Sequence, residues 1–569
     1  MTDQCYEFIH HLRQLIENIP STNEDNDSEP GGTLLEQGDI TFVCKTSDNE
    51  IHSKHTLDNE IYQQVLKFNG CQLLDVYNSN ALYQCTNKEI KENINGHMER
   101  TKAYICIDKI SQSNNPTTCV QGYLNTIIKQ MSTLLNDLLK SHCINESQFH
   151  QMNIIEQSKV RMDYLFYLPD IRQRPVSFHP IMVCSSGPTI GIARYIHRLL
   201  QPIYDQVALS TTFFKESDVI HALESYANHG SLLSTTLFAT ISIQDLDTTI
   251  SHDKMMQTFE RFLNEYYQSN ENGAHQFLTI HTILKLVDFI LQNQIFIFKN
   301  KIYRQVKGSA SQSPLTSLLM NIYMFYWQED LKKIVLNENE LFGRCYDKIF
   351  LTWNGSKKQL RSLLYSSSSF MKIKTSIGQK ITYMDAQIGY INGCLQTKIN
   401  HNEDTKSSGL PYILGHSRYM YSTLMRACLI RAVLCCSNVH DFYYEQKYIE
   451  EKFHSNGYSG DYIHNHVEEF FKEFNASQSK LHLDQLNYEK LRESLFEYDK
   501  QQLEMKIKQR KDEQNKEKWY ISSTFEGETL HELQENFQKV WKTYLDDHVE
   551  FSHISIEIIT QSRYPSYTK

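Results

Sequence analysis

The chain has 569 residues, 40% of them hydrophobic and 12% aromatic, and a net charge of −10. That is ample apolar material for sizeable cores and too much length for one typical domain, so three or four domains or subdomains are expected. Thirteen cysteines without a single C-x-x-C pair exclude a zinc ribbon or a disulfide framework and point to reduced thiols in an intracellular protein, nucleus or cytoplasm left open. The first twenty residues lack the apolar core of a signal peptide, and no run of 18 apolar residues offers a membrane span.

In chain order, residues 4–19 can form one amphipathic helix, and "STNEDNDSEPGGTLLEQGDI" (21–40) reads as an acidic linker. Apolar spacing of three and four residues predicts a long helix over 123–142. Two proline-punctuated extended pieces follow from residue 165, then a helix starting near Thr189. "TTLFATISIQDLDTTI" (235–250) reads as a strand and a turn, with Ser251 as N-cap of the next helix. A hairpin around Lys299-Asn300 leads to one long helix with Pro314 in its first turn. "LFGRCYDKIFLTWN" (341–354) is a second hairpin, with Asp347 and Lys348 at its tip; a short helix over 357–367 follows. A third hairpin turns at Asn392-Gly393. After residue 410 three helices are expected, with Gly457 ending the second, then a charged helix over 498–519 and a small unit over 520–560.

Charge is unevenly distributed. Residues 295–400 hold 15 Lys and Arg against 6 Asp and Glu. A basic centre in an acidic chain suits a phosphate-binding channel or a plain solvated face.

The order of these elements resembles a polymerase palm. The motifs are similar to those of reverse transcriptases, most closely of Penelope-like retroelements and related animal retroelements, over roughly residues 160–475. "YRQVKGSASQSPLTSLLMNIYM" resembles the family's Gly-x-x-x-Gly-Ser-Pro turn and helix, which places Gly308, Gln312, Ser313 and Pro314 against template and nucleotide. "FGRCYDKIFLTWN" resembles the Tyr-x-Asp-Asp hairpin, "YMDAQI" the Leu-Asp-Val-x-Ile strand, and "FATISIQDLDTTI" the first acidic strand. Gly415–Phe474 resembles the helix-turn-helix region that follows the palm.

What the resemblance implies is an α/β fold: a right-hand polymerase (reverse transcriptase) palm with fingers, followed by a helical thumb or helix-turn-helix region. The implied division is an N-terminal helix (1–20), the acidic linker (21–40), a mainly helical region (41–150), fingers (151–230), palm (231–400), a thumb-like helix-turn-helix region (410–475) and a charged helical extension (476–569). The family's reaction is RNA-directed DNA synthesis by two-metal nucleotidyl transfer, in which Mg²⁺ is held by palm carboxylates. Carried over residue by residue, the first-strand acid falls on Ser242, the first hairpin acid on Asp347 and the second on Lys348. One acid of three remains. Asp347 is then the sole metal ligand, and Mg²⁺ is expected only if the chain is active, with none bound tightly. Read as a strand, 242–247 places Asp245 and Asp247 on the face away from Ser242. Asp245 matches a position near the nucleotide phosphates, and Asp247 the aromatic gate under the sugar. In the fingers, Asp170 stands at a lysine and His179 at an arginine, with Arg172 or Arg174 as a compensating cation. Gln312 replaces a glycine that lets the backbone approach the base. Arg418, Arg426 and Arg431 are either phosphate holders in the thumb or helix-surface residues.

The expectation is therefore a retroelement-derived reverse transcriptase domain with reduced or lost activity. The alternative is a non-catalytic nucleic-acid-binding or structural protein that uses the palm groove. The expected partner is an RNA or DNA primer-template, with no membrane.

Overall fold

The computed structural model describes residues 41–43, 71–77, 81–110, 116–153, 160–171, 175–267, 278–366, 371–391, 393–401, 418–474, 483–514, 517–523 and 554–560. The helix expected over 4–19, the linker 21–40, and Arg172 and Arg174 lie outside the described residues.

The strands, numbered along the chain, are β1 Thr41–Val43, β2 Cys71–Asp75, β3 Ala81–Thr86, β4 Tyr104–Lys109, β5 Asp163–Asp170, β6 Ser177–Val183, β7 Leu237–Ile243, β8 Ile295–Phe298 and β9 Lys301–Gln305. They continue with β10 Phe342–Cys345, β11 Lys348–Trp353, β12 Ile373–Gly378, β13 Lys380–Tyr383, β14 Ala386–Ile391, β15 Cys394–Ile399, β16 Glu517–Ser523 and β17 Ile554–Thr560.

The described residues fall into two compact units. The larger takes those between Ile40 and Ser408 together with Arg431–Glu445. Its central sheet runs β10-β11-β7-β12, antiparallel throughout. The alternation in "LFATISI" explains why: Ala239, Ile241 and Ile243 of β7 share one face and are fully buried with Ile349 and Leu351 of β11. They join one core with Ile196 and Leu200 of the helix Ile190–Ala208 and with Leu315, Leu318 and Ile322 of the helix Pro314–Trp327. Burying each such side chain contributes about 1.5–3 kcal/mol.

A second sheet, ordered β4-β9-β8-β5-β6, gathers strands from distant parts of the chain. The hairpin β8–β9, placed in the palm by the motif division at 231–400, pairs with β5 of the fingers segment through Asp163↔Phe296. One sheet thus spans both segments. The region 41–150 contributes β1–β4 to two sheets besides its helices Asn87–Thr101, Pro116–Lys140 and Glu146–Met152.

Three expectations change. The long helix after residue 313 is two helices, Pro314–Trp327 and Glu329–Asn337, because Gln328 ends the first and turns its side chain to Arg344. "YMDAQI" is not one strand: Met384 takes φ +52° and Asp385 completes a two-residue turn between the paired Tyr383 and Ala386. The charged helix begins earlier, at Gln485, and ends at Gln514, after which 517–523 pairs as β16 with β17.

The C-terminal helices are Arg418–Cys435, Val439–Ser455 and Gly460–Glu473. Gly457 follows the second at φ +93°, where only glycine is free of strain, and Ser459 caps the third by accepting the Tyr462 N–H at 3.2 Å. Within the smaller unit, Arg426 is held by Glu473 at 2.5 Å and by the Tyr498 hydroxyl at 3.0 Å. In the larger unit Arg431 pairs with Glu216 at 3.0 Å and Asp385 at 3.4 Å. Two of the three arginines named as phosphate holders, Arg426 and Arg431, therefore carry internal ion pairs.

Candidate functional site

The β10–β11 hairpin is anchored from below by Arg344, which is only 2% exposed. Its guanidinium donates to Gln328 Oε1 (2.9 Å), Asn321 Oδ1 (2.8 Å), the Tyr346 carbonyl (2.6 Å), the Tyr204 hydroxyl (2.7 Å) and the Asn321 carbonyl (3.3 Å). All five partners are neutral, so the buried charge is stabilised by a saturated set of hydrogen bonds. Gly343 beside it leaves room for the Phe213 ring, which a Cβ would approach to 2.0 Å. At the far end of β11, Glu340 accepts from Tyr226 (2.7 Å), Thr352 (2.6 Å) and the Asn354 N–H (2.5 Å). The "TWN" segment thus closes a buried polar network.

The hairpin tip is Tyr346-Asp347. Tyr346 sits at φ +49°, a strained setting for an aromatic residue. The Asp347 carbonyl accepts the Ile243 N–H at 2.9 Å and ties the tip to the end of β7. Tyr383 latches the outside: its hydroxyl donates to the Lys348 carbonyl (2.9 Å) and accepts from the Cys345 N–H (3.2 Å).

The register then places the residues expected at the metal site. Ser242 pairs with Lys348 on one side and with Lys374 of β12 on the other. Directly opposed residues share a face, so a hydroxyl lies between two ammonium-bearing side chains. Mg²⁺ calls for hard, anionic oxygen ligands. Ser242, Lys348 and Lys374 do not supply them, and among the described residues no group of three Asp, Glu, His or Cys is placed to hold a metal. This donor set does not fit the two-metal centre, and no step is routed through one.

Asp245 and Asp247 do not lie on the back of a strand, as the alternation implied. β7 ends at Ile243, Asp245 turns the chain at φ +55°, and Leu246–Thr249 is a short helical turn. The turn aims both carboxylates at neighbours. Arg100 grips Asp245 with Nε at 3.0 Å and Nη2 at 2.9 Å, and His97, one turn earlier on the same helix, approaches it to 3.6 Å. The Tyr346 hydroxyl donates to Asp247. Burial lifts the Asp247 carboxyl to about 6; the Asp347 charge pushes the same way, and the Tyr346 hydrogen bond opposes it. Burial pushes the His97 imidazole down to about 4, against the pull of Asp245, so it is neutral at pH 7.

Asp245, Asp247, Asp347 and His179 meet in one cavity of about 110 Å³, with His97, Tyr104 and Tyr346 also in its wall. The His179 ring stacks on Tyr77 at 4.0 Å. The loop before the long helix closes the floor: Gly308 takes φ +70°, and a Cβ there would lie 1.7 Å from the Asp247 carbonyl oxygen. That carbonyl accepts from Gln305 Nε2 (3.1 Å) and the Ser309 N–H (3.0 Å). Ser313 is buried at the start of the helix, Pro314 occupies its first turn, and Gln312 is exposed. The cavity thus unites four of the expected positions, whereas Ser242 and Lys348 share the sheet face.

Sequence reasoning missed Arg100, His97, Arg344 and Lys374. Arg100 and Asp245 are 145 residues apart, and nothing local announces the pair. Arg344 carried a faint signal, a lone cation among the buried positions of β10.

The four-stranded antiparallel sheet backed by helices, with the acid-bearing hairpin supplying two of its strands, and the five-stranded sheet beside it in the same unit define an α/β fold, followed along the chain by helices. The animal helix-turn-helix domain matches residues 409–468, close to the segment expected from its motif. Among solved structures, telomerase from Candida albicans in complex with a fragment of telomeric RNA is 10% identical with a TM-score of 0.48, over 85% of this chain and 72% of that one. Telomerase from Candida tropicalis is 11% identical (TM-score 0.40, over 77% and 73%). The RNA-dependent RNA polymerase of a human picobirnavirus is 10% identical (TM-score 0.37, over 58% and 61%). No curated protein matches the chain. No helix among the described residues is long and apolar enough to cross a membrane.

Proposed function

We propose that this is a retroelement-derived protein of the reverse transcriptase type, of Penelope-like descent, whose nucleotidyl-transfer centre has been lost. The observation that carries the reading is the register of Ser242 with Lys348 at the place where the family's motifs put two metal-binding acids. Asp347 remains, but it stands beside an ammonium, and Asp245 and Asp247 in the same cavity are engaged by Arg100 and the Tyr346 hydroxyl, which argues against a pair of divalent ions held there for a leaving pyrophosphate. The carboxylates of Asp247 and Asp347, which share one cavity, work against triphosphate binding on the same side. The hairpin's internal supports favour a retained frame.

Primer extension on an RNA template tests this, with Mg²⁺ and separately with Mn²⁺. The natural chain is expected to give no extension in either metal. Extension that disappears in Asp347→Ala overturns the reading. Some extension by a Ser242→Asp, Lys348→Asp double variant places the loss in the metal site alone.

A second reading, a non-catalytic nucleic-acid-binding protein, is favoured by the basic excess over 295–400 and by the two lysines beside Ser242. It is compatible with the first, and it predicts binding of RNA or DNA that weakens steeply with salt.

A further inference from the structure

We propose that Lys348 and Lys374 form a phosphate clamp over Ser242 that binds the nucleic-acid backbone without a divalent metal. This rests on the nucleic-acid-binding reading above and names the residues and chemistry behind it.

The geometry starts from register. Three adjacent antiparallel strands set Lys348, Ser242 and Lys374 in one row across the sheet. Strands lie about 4.8 Å apart, so the two lysine Cα atoms are about 10 Å apart with the serine midway. Flexible four-carbon stems let both ammoniums converge on one anion above the hydroxyl, which can itself donate to a phosphate oxygen.

The surroundings leave that row open to an anion. The next row back, Phe350, Thr240 and Ser376, is uncharged, and Phe350 is roofed by Tyr383 with ring centroids at 5.4 Å. Lys374 is exposed, and Ser242 and Lys348 are half-buried. Of the acids nearest the hairpin, Glu216 is already held by Arg431 at 3.0 Å. Neither lysine makes an ion pair with another described residue, whereas Arg100, Arg426 and Arg431 all do. Asp347 next to Lys348 offsets part of the field, so the clamp is the sum of two ammoniums against one carboxylate.

The chemical consequence is an exchange of roles. A carboxylate site binds phosphate only through bridging cations; a lysine site supplies the positive charge itself. Binding should therefore survive chelation of every divalent ion. It should release counterions, with a salt slope of about 0.7 per neutralised phosphate on a single strand.

The test uses the full chain and a fluorescently labelled single-stranded RNA, followed by anisotropy in EDTA and in Mg²⁺ over a salt series. Thermal unfolding of each variant serves as the folding check. The expected result is equal affinity in EDTA and Mg²⁺. Affinity should fall at least tenfold, and the salt slope by roughly 0.7, in the Lys348→Gln, Lys374→Gln double variant, with most of the loss restored by Lys348→Arg, Lys374→Arg. Binding that is unchanged in the glutamine double variant, or abolished by EDTA, overturns the clamp while leaving nucleic-acid binding in place. Absence of binding by the natural chain overturns both.

Discussion

The two faces of the β10-β11-β7-β12 sheet differ at the row that crosses Ser242. On the inner face Ile241, Ile349 and Leu351 are buried to within 1% of full exclusion, as Phe238, Phe350 and Thr352 are on the outer one. The hairpin around them is pinned by Arg344 and Glu340, whose partners are satisfied to hydrogen-bond distance. Beyond Phe238, Phe350 and Thr352 on the outer face, the row through Ser242 holds a hydroxyl and two lysines, half-buried or exposed. A polar side chain in that solvent-touched row adds little to stability and can be replaced without unfolding the chain. An arginine that fills five hydrogen bonds in the core cannot.

The comparison breaks most readily at Arg344. Arg344→Ala leaves Gln328, Asn321 and Tyr204 without their shared donor and opens a cavity. Equilibrium denaturant unfolding should show a loss of about 3–5 kcal/mol, and a loss below ~1 kcal/mol would mean that the hairpin does not depend on this anchor.

Gly308→Ala should come next, at roughly 2–4 kcal/mol, because the left-handed φ of +70° and the Asp247 carbonyl both oppose a methyl group. The same unfolding measurement checks it, and a neutral result would contradict the close approach of the loop to the 246–249 turn.

Asp247 sharpens the comparison through pH. Its folded-state carboxyl is raised from 3.8 to about 6, so the fold favours the protonated form. Stability from this group is present in full below about pH 4 and is lost as pH rises through 6, by up to ~3 kcal/mol. In Asp247→Asn that loss should vanish, so the difference in Tm between variant and natural protein should grow in the variant's favour from pH 4 to pH 7. A difference that stays flat across the window would show that Asp247 is not buried against Tyr346.

The smallest effect belongs to the outer face. Lys374→Gln should change stability by less than about 0.5 kcal/mol. A larger loss in thermal unfolding would make the lysine row part of the frame and erase the distinction between the faces.

Much of the frame was legible because it is local. The apolar alternation in "LFATISI", the Asp347 turn between two apolar runs, Ser251 before its helix and Gly457 after another each announce themselves within a few residues. "YMDAQI" misled because a turn residue at φ +52° and a strand residue look alike when the residue is Met384. Asp245 and Asp247 misled because alternation was extended past Ile243, where β7 had already ended.

By itself, the sequence determined the order of elements, the hairpin with its single acid, and the identity of the residues at the positions the motifs assign to metal and nucleotide. Periodicity, capping and turn chemistry act over a few residues and are written in them. Only the tertiary structure decided what those residues face. Lys374 lies beside Ser242 because β12 pairs with β7, Arg100 closes on Asp245 from a helix 145 residues earlier, and Tyr346 holds Asp247 across the mouth of the cavity. Those are contacts between segments distant in the chain, fixed by strand register and packing, which no local pattern encodes.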